Sequence, residues 1–246
     1  MTKEHSNIIY CHGLPGSPEE LNFLGREHTK PARVFGPQHQ GEIAEYFSST
    51  LNCKLHVVGF SLGAMAAIKL SVKYANVVNM ISLISPAAPL ELGNFLPEMA
   101  GRFVFQLASR SPIQFRVLTE LQKYGAILSS EIVINTMFKG SPESEILLLK
   151  DSEFKKALVS GLKESYGKNN STYRQEIHDY VKPWAHDLAK IQCPVSIYHG
   201  EADNWTPIEM AYALQGEISS NVAVFKYPEL GHFSTLRKAL PLILLD

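Results

Sequence analysis

The sequence predicts one α/β domain that carries a long helical insertion. Short apolar runs that are typical of buried strands each end in a loop rich in glycine and polar residues. The region 87–183 instead has apolar side chains at helical spacing and no convincing strand. With 246 residues, 45% of them hydrophobic, the chain can bury a large core, and α/β folds of this size often form one unit.

The first strand candidate, Asn7 to Cys11, runs directly into the loop His12-Gly13-Leu14-Pro15-Gly16-Ser17. A loop at a strand end can place a backbone N–H against an oxygen that becomes negative during acyl transfer. Leu14 can donate such an N–H, whereas Pro15 has none. A phosphate-binding loop or a plain turn is the alternative, although the loop has neither a Walker lysine nor GxGxxG spacing. We expect His12 to hold the loop through backbone hydrogen bonds rather than to transfer protons.

The second motif, Gly59-Phe60-Ser61-Leu62-Gly63, lies between a strand candidate that begins at Leu55 and a helix candidate, Ala64 to Leu70. A sharp strand-to-helix turn strains the serine backbone, and glycines two residues to either side remove the collisions that larger side chains would cause. Ser61 is therefore the predicted nucleophile, and the Leu62 N–H is the predicted second donor of an oxyanion hole. The alternative is an ordinary glycine-rich turn whose serine has no chemical role.

Two further strand candidates lead to a carboxylate and a histidine. The run from Cys193 to Tyr198 enters a loop that contains Asp203, and the run from Val222 to Tyr227 enters a loop that contains His232. A carboxylate just past a strand end can orient a catalytic histidine, which then acts as the base. Glu201 is an alternative acid only two residues from Asp203. The chain order Ser61, Asp203, His232 is the order expected of one fold class.

These four motifs together resemble those of the α/β-hydrolase superfamily, and the resemblance covers nearly the whole chain. It implies a mostly parallel central sheet and a Ser-His-Asp hydrolase of the compact esterase, lipase and meta-cleavage-product type, which needs no cofactor. Relatives with a Gly-Glu-x-Asp loop use the aspartate, which favours Asp203. Only one strand candidate precedes the His12 loop, so the two edge strands that commonly open this fold are expected to be absent. The next strand candidate is Ala32 to Gly36.

In this fold the insertion 87–183 is expected to form a helical cap over the nucleophile, with residues 1–86 and 184–246 forming the core. Ser111-Pro112 and Ser141-Pro142 each combine an N-cap residue with a first-turn proline. Further helices are expected over 146–163 and 172–181. The spacing of four residues between Phe95, Met99, Phe103 and Leu107 predicts one helix through these positions.

Aromatic side chains of the insertion are the candidates for the substrate pocket. The candidates are Phe95, Phe103, Phe115 and Phe138. The apolar character of the insertion favours an acyl or aromatic substrate over a sugar or a phosphate ester.

The overall charge argues against a nucleic-acid partner. The chain has 23 basic and 24 acidic residues, a formal net charge of −1, and no long run of like charges. No apolar run has the length of a signal peptide or approaches the ~20 residues of a membrane helix, so we expect a cytoplasmic protein without an integral membrane segment. Metal binding is not expected, because the nine histidines form no HExxH motif and the three cysteines form no Cys-x-x-Cys motif.

The predicted function is cleavage of a carboxylic ester or thioester of a small apolar substrate through an acyl-enzyme. Two alternatives remain open: a carbon–carbon bond hydrolase or lyase that uses the same triad, and a ligand-binding protein without hydrolytic activity. Arginines that face the pocket, such as Arg102, Arg110 or Arg116, would favour the first alternative. Peptide cleavage is disfavoured, because proline-specific aminopeptidases of this fold usually read His-Gly-Gly-Pro-Gly where this chain has Leu14. The oligomeric state is left open.

Overall fold

The computed structural model describes residues 7–24, 32–35 and 54–245 of the chain. Its strands are β1 (Asn7–Cys11), β2 (Ala32–Phe35), β3 (Leu55–Phe60), β4 (Val78–Ile84), β5 (Val195–Gly200) and β6 (Val222–Tyr227). They form one sheet in the order β2-β1-β3-β4-β5-β6, and every neighbouring pair is parallel. Because parallel strands end at the same edge of a sheet, the loops after β1, β3, β5 and β6 meet at that edge.

The predicted α/β-hydrolase fold with a parallel central sheet is confirmed. β2 is the outermost described strand on its side, and no described residue adds an antiparallel strand to the sheet. The residues before Asn7 lie outside the described part of the chain.

The α-helices of the described chain are α1 (Gly63–Lys73), α2 (Arg102–Arg110), α3 (Pro112–Leu128), α4 (Ser130–Met137), α5 (Glu143–Leu148), α6 (Ser152–Leu162), α7 (Asn170–Tyr180), α8 (Glu209–Glu217) and α9 (His232–Leu245). Short 3₁₀ helices lie at Pro18–Leu24, Leu90–Leu92, Leu96–Glu98 and Ala185–Lys190, and a π-helical segment lies at Lys163–Lys168. None of the described helices is both long and apolar enough to cross a membrane.

The central strands are buried by helices on both faces of the sheet. Ile9 of β1, Val57 of β3 and Ile81 of β4 are fully buried. α1 packs against β1, β3 and β4, whereas α9 packs against β4 and β5. These contacts hold the strand ends in fixed positions, and the loops with the predicted functional residues start from those ends.

The helices between β4 and β5 differ in part from those predicted. The single helical run through Phe95, Met99 and Phe103 is wrong: the backbone is extended at Met99 (φ −80°, ψ 128°), and α2 begins only at Arg102. This break rotates α2 relative to the preceding turn, so Phe95 and Met99 are buried while Phe103 is 59% exposed. The predicted N-cap at Ser111 is confirmed, since its side chain accepts a hydrogen bond from the Gln114 N–H.

A second difference concerns the helix expected over 146–163. The chain breaks between α5 and α6, where Asp151 caps α6 by accepting hydrogen bonds from the N–H groups of Glu153 and Phe154. Ser141 does not cap α5, because Pro142 occupies the N-cap position. An N-cap aspartate satisfies N–H groups that have no partner within the helix, so Asp151 fixes the start of α6.

The insertion contacts the rest of the chain beside the loop that follows β1. A Cβ atom on Gly161 of α6 would lie 3.0 Å from Cα of Gly16. The Ser165 hydroxyl donates to the Gly16 carbonyl and accepts from the Gly16 N–H, each at 3.0 Å. These contacts place helices of the insertion directly against the predicted oxyanion loop. The division into a core and a cap stays a prediction.

Candidate active site

Ser61 lies on the sharp turn between β3 and α1. Its backbone has φ 54°, a conformation that residues other than glycine rarely adopt. The two flanking glycines are required by close packing, since a Cβ atom on Gly63 would lie 2.2 Å from the Cys11 carbonyl oxygen and one on Gly59 would lie 2.8 Å from Cα of Ala64. The turn formed by residues 59–63 therefore places Ser61 at the edge of the sheet where β1 and β3 both end.

His232 and Asp203 are hydrogen-bonded to one another. Nδ1 of His232 lies 2.8 Å from Oδ2 of Asp203, and both side chains are buried. His232 begins α9, and Asp203 follows β5. The ring of Phe60, the residue before Ser61, lies 4.8 Å from the His232 ring, measured between centroids. The loops that carry Ser61, Asp203 and His232 therefore adjoin, as expected from the chain order.

The Asp203 carboxylate is fixed by more than the histidine. Its Oδ1 accepts hydrogen bonds from the N–H groups of Trp205 and Thr206, at 2.8 and 3.0 Å. Burial acts to raise the pKa of Asp203, but the charge and hydrogen bond of His232, with smaller contributions from His199 and Thr206, outweigh burial and lower the pKa. Asp203 is therefore ionised at neutral pH and accepts the Nδ1–H of His232.

Two aromatic residues and a second histidine that the sequence reasoning did not single out surround this pair. The Trp205 indole stacks on the His232 ring, with centroids 5.5 Å apart and planes at 11°. Phe233 contacts the His232 ring edge-on. His199 lies 3.8 Å from Asp203, and because its Nε2 donates to the Thr206 carbonyl at 2.8 Å, the opposite ring nitrogen is the unprotonated one. Burial lowers the pKa of His199, so it is neutral beside Asp203.

Glu201, the alternative acid, lies away from this cluster. Its side chain forms an ion pair with Lys226 at 3.0 Å on the surface. The structure therefore places Asp203, and not Glu201, against His232.

The loop after β1 brings Leu14 beside Ser61 and Leu62, and all three line one cavity. Within the described chain, the backbone N–H groups of Leu14 and Leu62 donate to no acceptor, so both are available to a bound oxygen. The Leu14–Pro15 peptide bond is cis. His12 lies 2.8 Å from the Gly13 carbonyl oxygen through Nδ1, which agrees with the structural role expected for it.

A buried carboxyl group that the sequence reasoning missed, that of Glu20, supports this loop. Oε1 of Glu20 accepts hydrogen bonds from the Tyr10 hydroxyl at 2.5 Å and from the Gly13 N–H at 3.3 Å. Burial raises the pKa of Glu20 to about 8, against the opposing effect of these two hydrogen bonds. Only the three-dimensional contact identifies Glu20, because nothing in the local sequence distinguishes it from the exposed Glu19.

Glu145 of α5 has a second buried carboxyl group beside the site. It accepts hydrogen bonds from the N–H groups of Phe233 at 3.1 Å and Ser234 at 2.7 Å, which belong to the first turn of α9. Burial raises the pKa of Glu145, while its hydrogen bonds with Ser234 and the charge of His232 act in the opposite direction. A carboxylate at a helix N-terminus satisfies N–H groups that have no partner within the helix. Glu145 thus links the insertion to the turn that carries His232.

The cavity at Ser61 has a volume of about 300 Å³. Much of its apolar lining comes from the insertion, including Met99, Val104, Phe105, Met137 and Ile177. Polar atoms also face it: Oε1 of Gln122 and Nε1 of Trp205 are buried and have no hydrogen-bond partner within the described chain. The cavity can therefore hold a mainly apolar molecule that presents a few polar groups.

None of the four phenylalanines predicted for the pocket lines this cavity. Phe138 stacks on Phe233 at 5.6 Å, Phe95 and Phe115 are buried elsewhere in the helical layer, and Phe103 faces solvent. The lining comes instead from their neighbours in the chain, such as Val104 and Met137, because one residue along a helix turns the side chain by about 100°. Arg102, Arg110 and Arg116 are also outside the lining.

The sequence comparisons agree with the fold. Residues 50–239 match the family described as the alpha/beta hydrolase fold, which is more than half of the chain. The chain belongs to the α/β-hydrolase family. No curated protein matches the chain.

Three solved structures align with almost all of the chain at low identity. An esterase from Exiguobacterium antarcticum is 16% identical, with a TM-score of 0.62 over 98% of this chain and 92% of that one. An α/β-hydrolase from a Medee basin deep-sea metagenome is 17% identical, with a TM-score of 0.64 over 100% and 90%. A bromoperoxidase from Bacillus anthracis is 16% identical, with a TM-score of 0.58 over 98% and 92%. These likenesses establish the fold, while the reaction depends on the site itself.

Proposed function

We propose that this protein is a serine hydrolase that cleaves a carboxylic ester or thioester of a small apolar substrate. The observation that carries the proposal is the 2.8 Å hydrogen bond between His232 and Asp203, beside a serine held at φ 54° in the wall of a cavity. A Ser-His-Asp arrangement on a strand-to-helix turn is the arrangement that α/β-hydrolases use for acyl transfer.

The proposed mechanism follows from the hydrogen bonds. Because Asp203 accepts the Nδ1–H of His232, the other ring nitrogen is unprotonated and can take the proton of the Ser61 hydroxyl. Ser61 Oγ then attacks the carbonyl carbon, and the N–H groups of Leu14 and Leu62 stabilise the negative oxygen. The imidazolium returns its proton to the leaving alcohol or thiol. Water, activated by the same histidine, releases the acid from the acyl-enzyme, so no cofactor is needed.

The cavity supports an apolar acyl or alcohol group as the substrate. Its lining is mainly aliphatic and aromatic, and among the described residues that line it Lys139 is the only charged one. A sugar or phosphate ester would leave many polar groups without partners in such surroundings. The arginines that would have favoured a carbon–carbon bond hydrolase or lyase are outside the lining, so ester cleavage is the better supported reaction.

Covalent labelling tests the proposal. We expect a fluorophosphonate probe to modify Ser61, as located by peptide mapping, because a serine with a base and an oxyanion hole reacts fastest. Ser61→Ala should abolish labelling and lower kcat by about 10⁴- to 10⁶-fold on p-nitrophenyl esters. Ser196→Ala, a change within β5, is the matched control and should leave both unchanged. An adduct on another serine, or hydrolysis that survives Ser61→Ala, would contradict the assignment.

A further inference from the structure

One face of α3 exposes large apolar side chains to solvent. Ile113, Val117, Leu121, Tyr124 and Leu128 have exposed fractions of 79%, 56%, 64%, 59% and 82%. Their spacing of three or four residues places them on one side of the helix, and we call them the apolar stripe. A surface helix normally turns such a stripe toward the core, and an exposed one marks an interaction surface.

The opposite side of α3 is the one that packs against the protein. Phe115, Thr119 and Ala126 are buried, and the Asn170 side chain donates to the Thr119 carbonyl at 3.3 Å. Gln122, also on that side, lines the cavity at Ser61. The orientation of the helix is therefore set by these contacts, and the apolar stripe is left facing outward.

The charges on α2 and α3 are mostly positive. The segment from Arg102 to Leu128 contains four basic residues and one acidic residue, in a chain whose basic and acidic residues nearly balance. The acidic residue, Glu120, is paired with Arg174 at 3.0 Å. The basic residues are Arg102, Arg110, Arg116 and Lys123. A partner that covers the apolar stripe therefore meets a local positive charge, which favours an anionic partner.

We propose that the apolar stripe docks the protein on an anionic lipid surface, with α3 lying in the plane of the interface. Apolar side chains along one helix face, flanked by arginine and lysine, are the features by which helices bind such surfaces without crossing them. A second copy of the chain fits less well, because pairing two of these faces would bring two sets of basic side chains together. The cavity that contains Ser61 lies behind the docked helix, since α3 contributes Gln122 to its lining.

Vesicle binding tests the proposal without any substrate, so its outcome is independent of the proposed hydrolysis. Purified full-length protein is sedimented with vesicles of phosphatidylcholine that contain about a third phosphatidylglycerol, and with phosphatidylcholine alone. We expect binding to the anionic vesicles that weakens as salt is added. Leu121→Ser combined with Leu128→Ser should lower the partition coefficient at least about tenfold. Leu242→Ser, at an exposed leucine of α9, is the matched control and should bind as the unmodified protein does.

A second variant, Arg116→Gln combined with Lys123→Gln, keeps the apolar stripe and removes charge. This variant should bind anionic vesicles weakly, and its binding should depend less on salt than that of the unmodified protein. If the leucine variant does not fold, this second variant decides the test. Absence of binding to anionic vesicles, or equal binding by both variants and the unmodified protein, would overturn the proposal. So would a concentration-dependent dimer, seen by light scattering, that the leucine variant abolishes.

Discussion

At the scale of single residues, two carboxylates separated by one residue have opposite environments. Asp203 is buried and bound to His232, whereas Glu201 pairs with Lys226 at the surface. The resemblance of the Gly-Glu-x-Asp loop favours Asp203 as the acid, and the hydrogen bond to His232 supports the same choice.

This contrast gives a prediction for the acid of the proposed triad. Asp203→Asn should lower kcat by about 10³- to 10⁴-fold, because an amide no longer holds His232 in the required tautomer. Glu201→Gln has the same change of charge and should alter kcat by less than about twofold, since exposed ion pairs contribute little. Steady-state kinetics on a p-nitrophenyl ester checks both, and a larger loss for Glu201→Gln would require a different acid.

Glu20 gives a prediction about pH and stability. Burial raises the pKa of Glu20 from 4.5 to about 8. Between pH 4.5 and pH 8 the folded protein therefore keeps a proton on Glu20 that the unfolded chain has released. Stability must then fall as pH rises through this window, because the folded state binds more protons. Glu20→Gln should flatten this decline in thermal unfolding scans from pH 5 to pH 8. Glu19→Gln, at the exposed neighbouring residue, is the control. Its stability should decline with pH as that of the unmodified protein does.

At the scale of secondary-structure elements, local sequence patterns were enough to predict the strands and the turn at Ser61. The turn at Ser61 is determined within a few residues, because Gly59 and Gly63 meet neighbouring backbone in a way that any larger side chain would prevent. The strands could likewise be recognised from short apolar runs. The lining of the pocket could not be predicted in this way. It depends on how α2 is rotated after the break at Met99, and no local sequence pattern indicates that break. Glu20 and Glu145 were missed for the same reason, as their partners lie in other elements.

Neighbouring residues on α2 test this rotation. Val104 lines the cavity and Phe103 faces solvent. Val104→Phe should narrow the cavity and shift the preferred acyl length, changing kcat/KM for the longest accepted esters by about 10- to 200-fold. Phe103→Ala should leave the profile over p-nitrophenyl esters unchanged. If the profile responded to Phe103→Ala and not to Val104→Phe, the pocket would have to lie on the other side of α2.

At the scale of the whole molecule, Glu145 joins the insertion to the histidine loop. Glu145→Gln keeps the shape of the side chain but leaves one oxygen acceptor for two N–H groups of α9, so His232 should lose its fixed position. We expect kcat to fall by about 10- to 100-fold with KM nearly unchanged, because misplacement of a base affects the reaction more than binding.

The exposed Glu143 lies on the same helix and provides the control for this prediction. Glu143→Gln should leave kcat and the thermal midpoint unchanged. If Glu145→Gln lowered only the thermal midpoint, and kcat measured well below that midpoint stayed the same, Glu145 would have a purely structural role.

The position of the insertion also affects how the protein folds. β4 and β5 are neighbours in the sheet, with Ile81 paired to Val195, although residues 85–194 lie between the two strands. Pairing them requires a very long loop to close before the contact forms, and folding becomes slower as the sequence separation of contacting residues increases. The equilibrium cost of closure is much less sensitive, since doubling a loop's length adds only about 0.6 kcal/mol. Shortening this segment should therefore speed refolding far more than it changes the free energy of unfolding, provided that the contacts at Gly161 and Glu145 are kept.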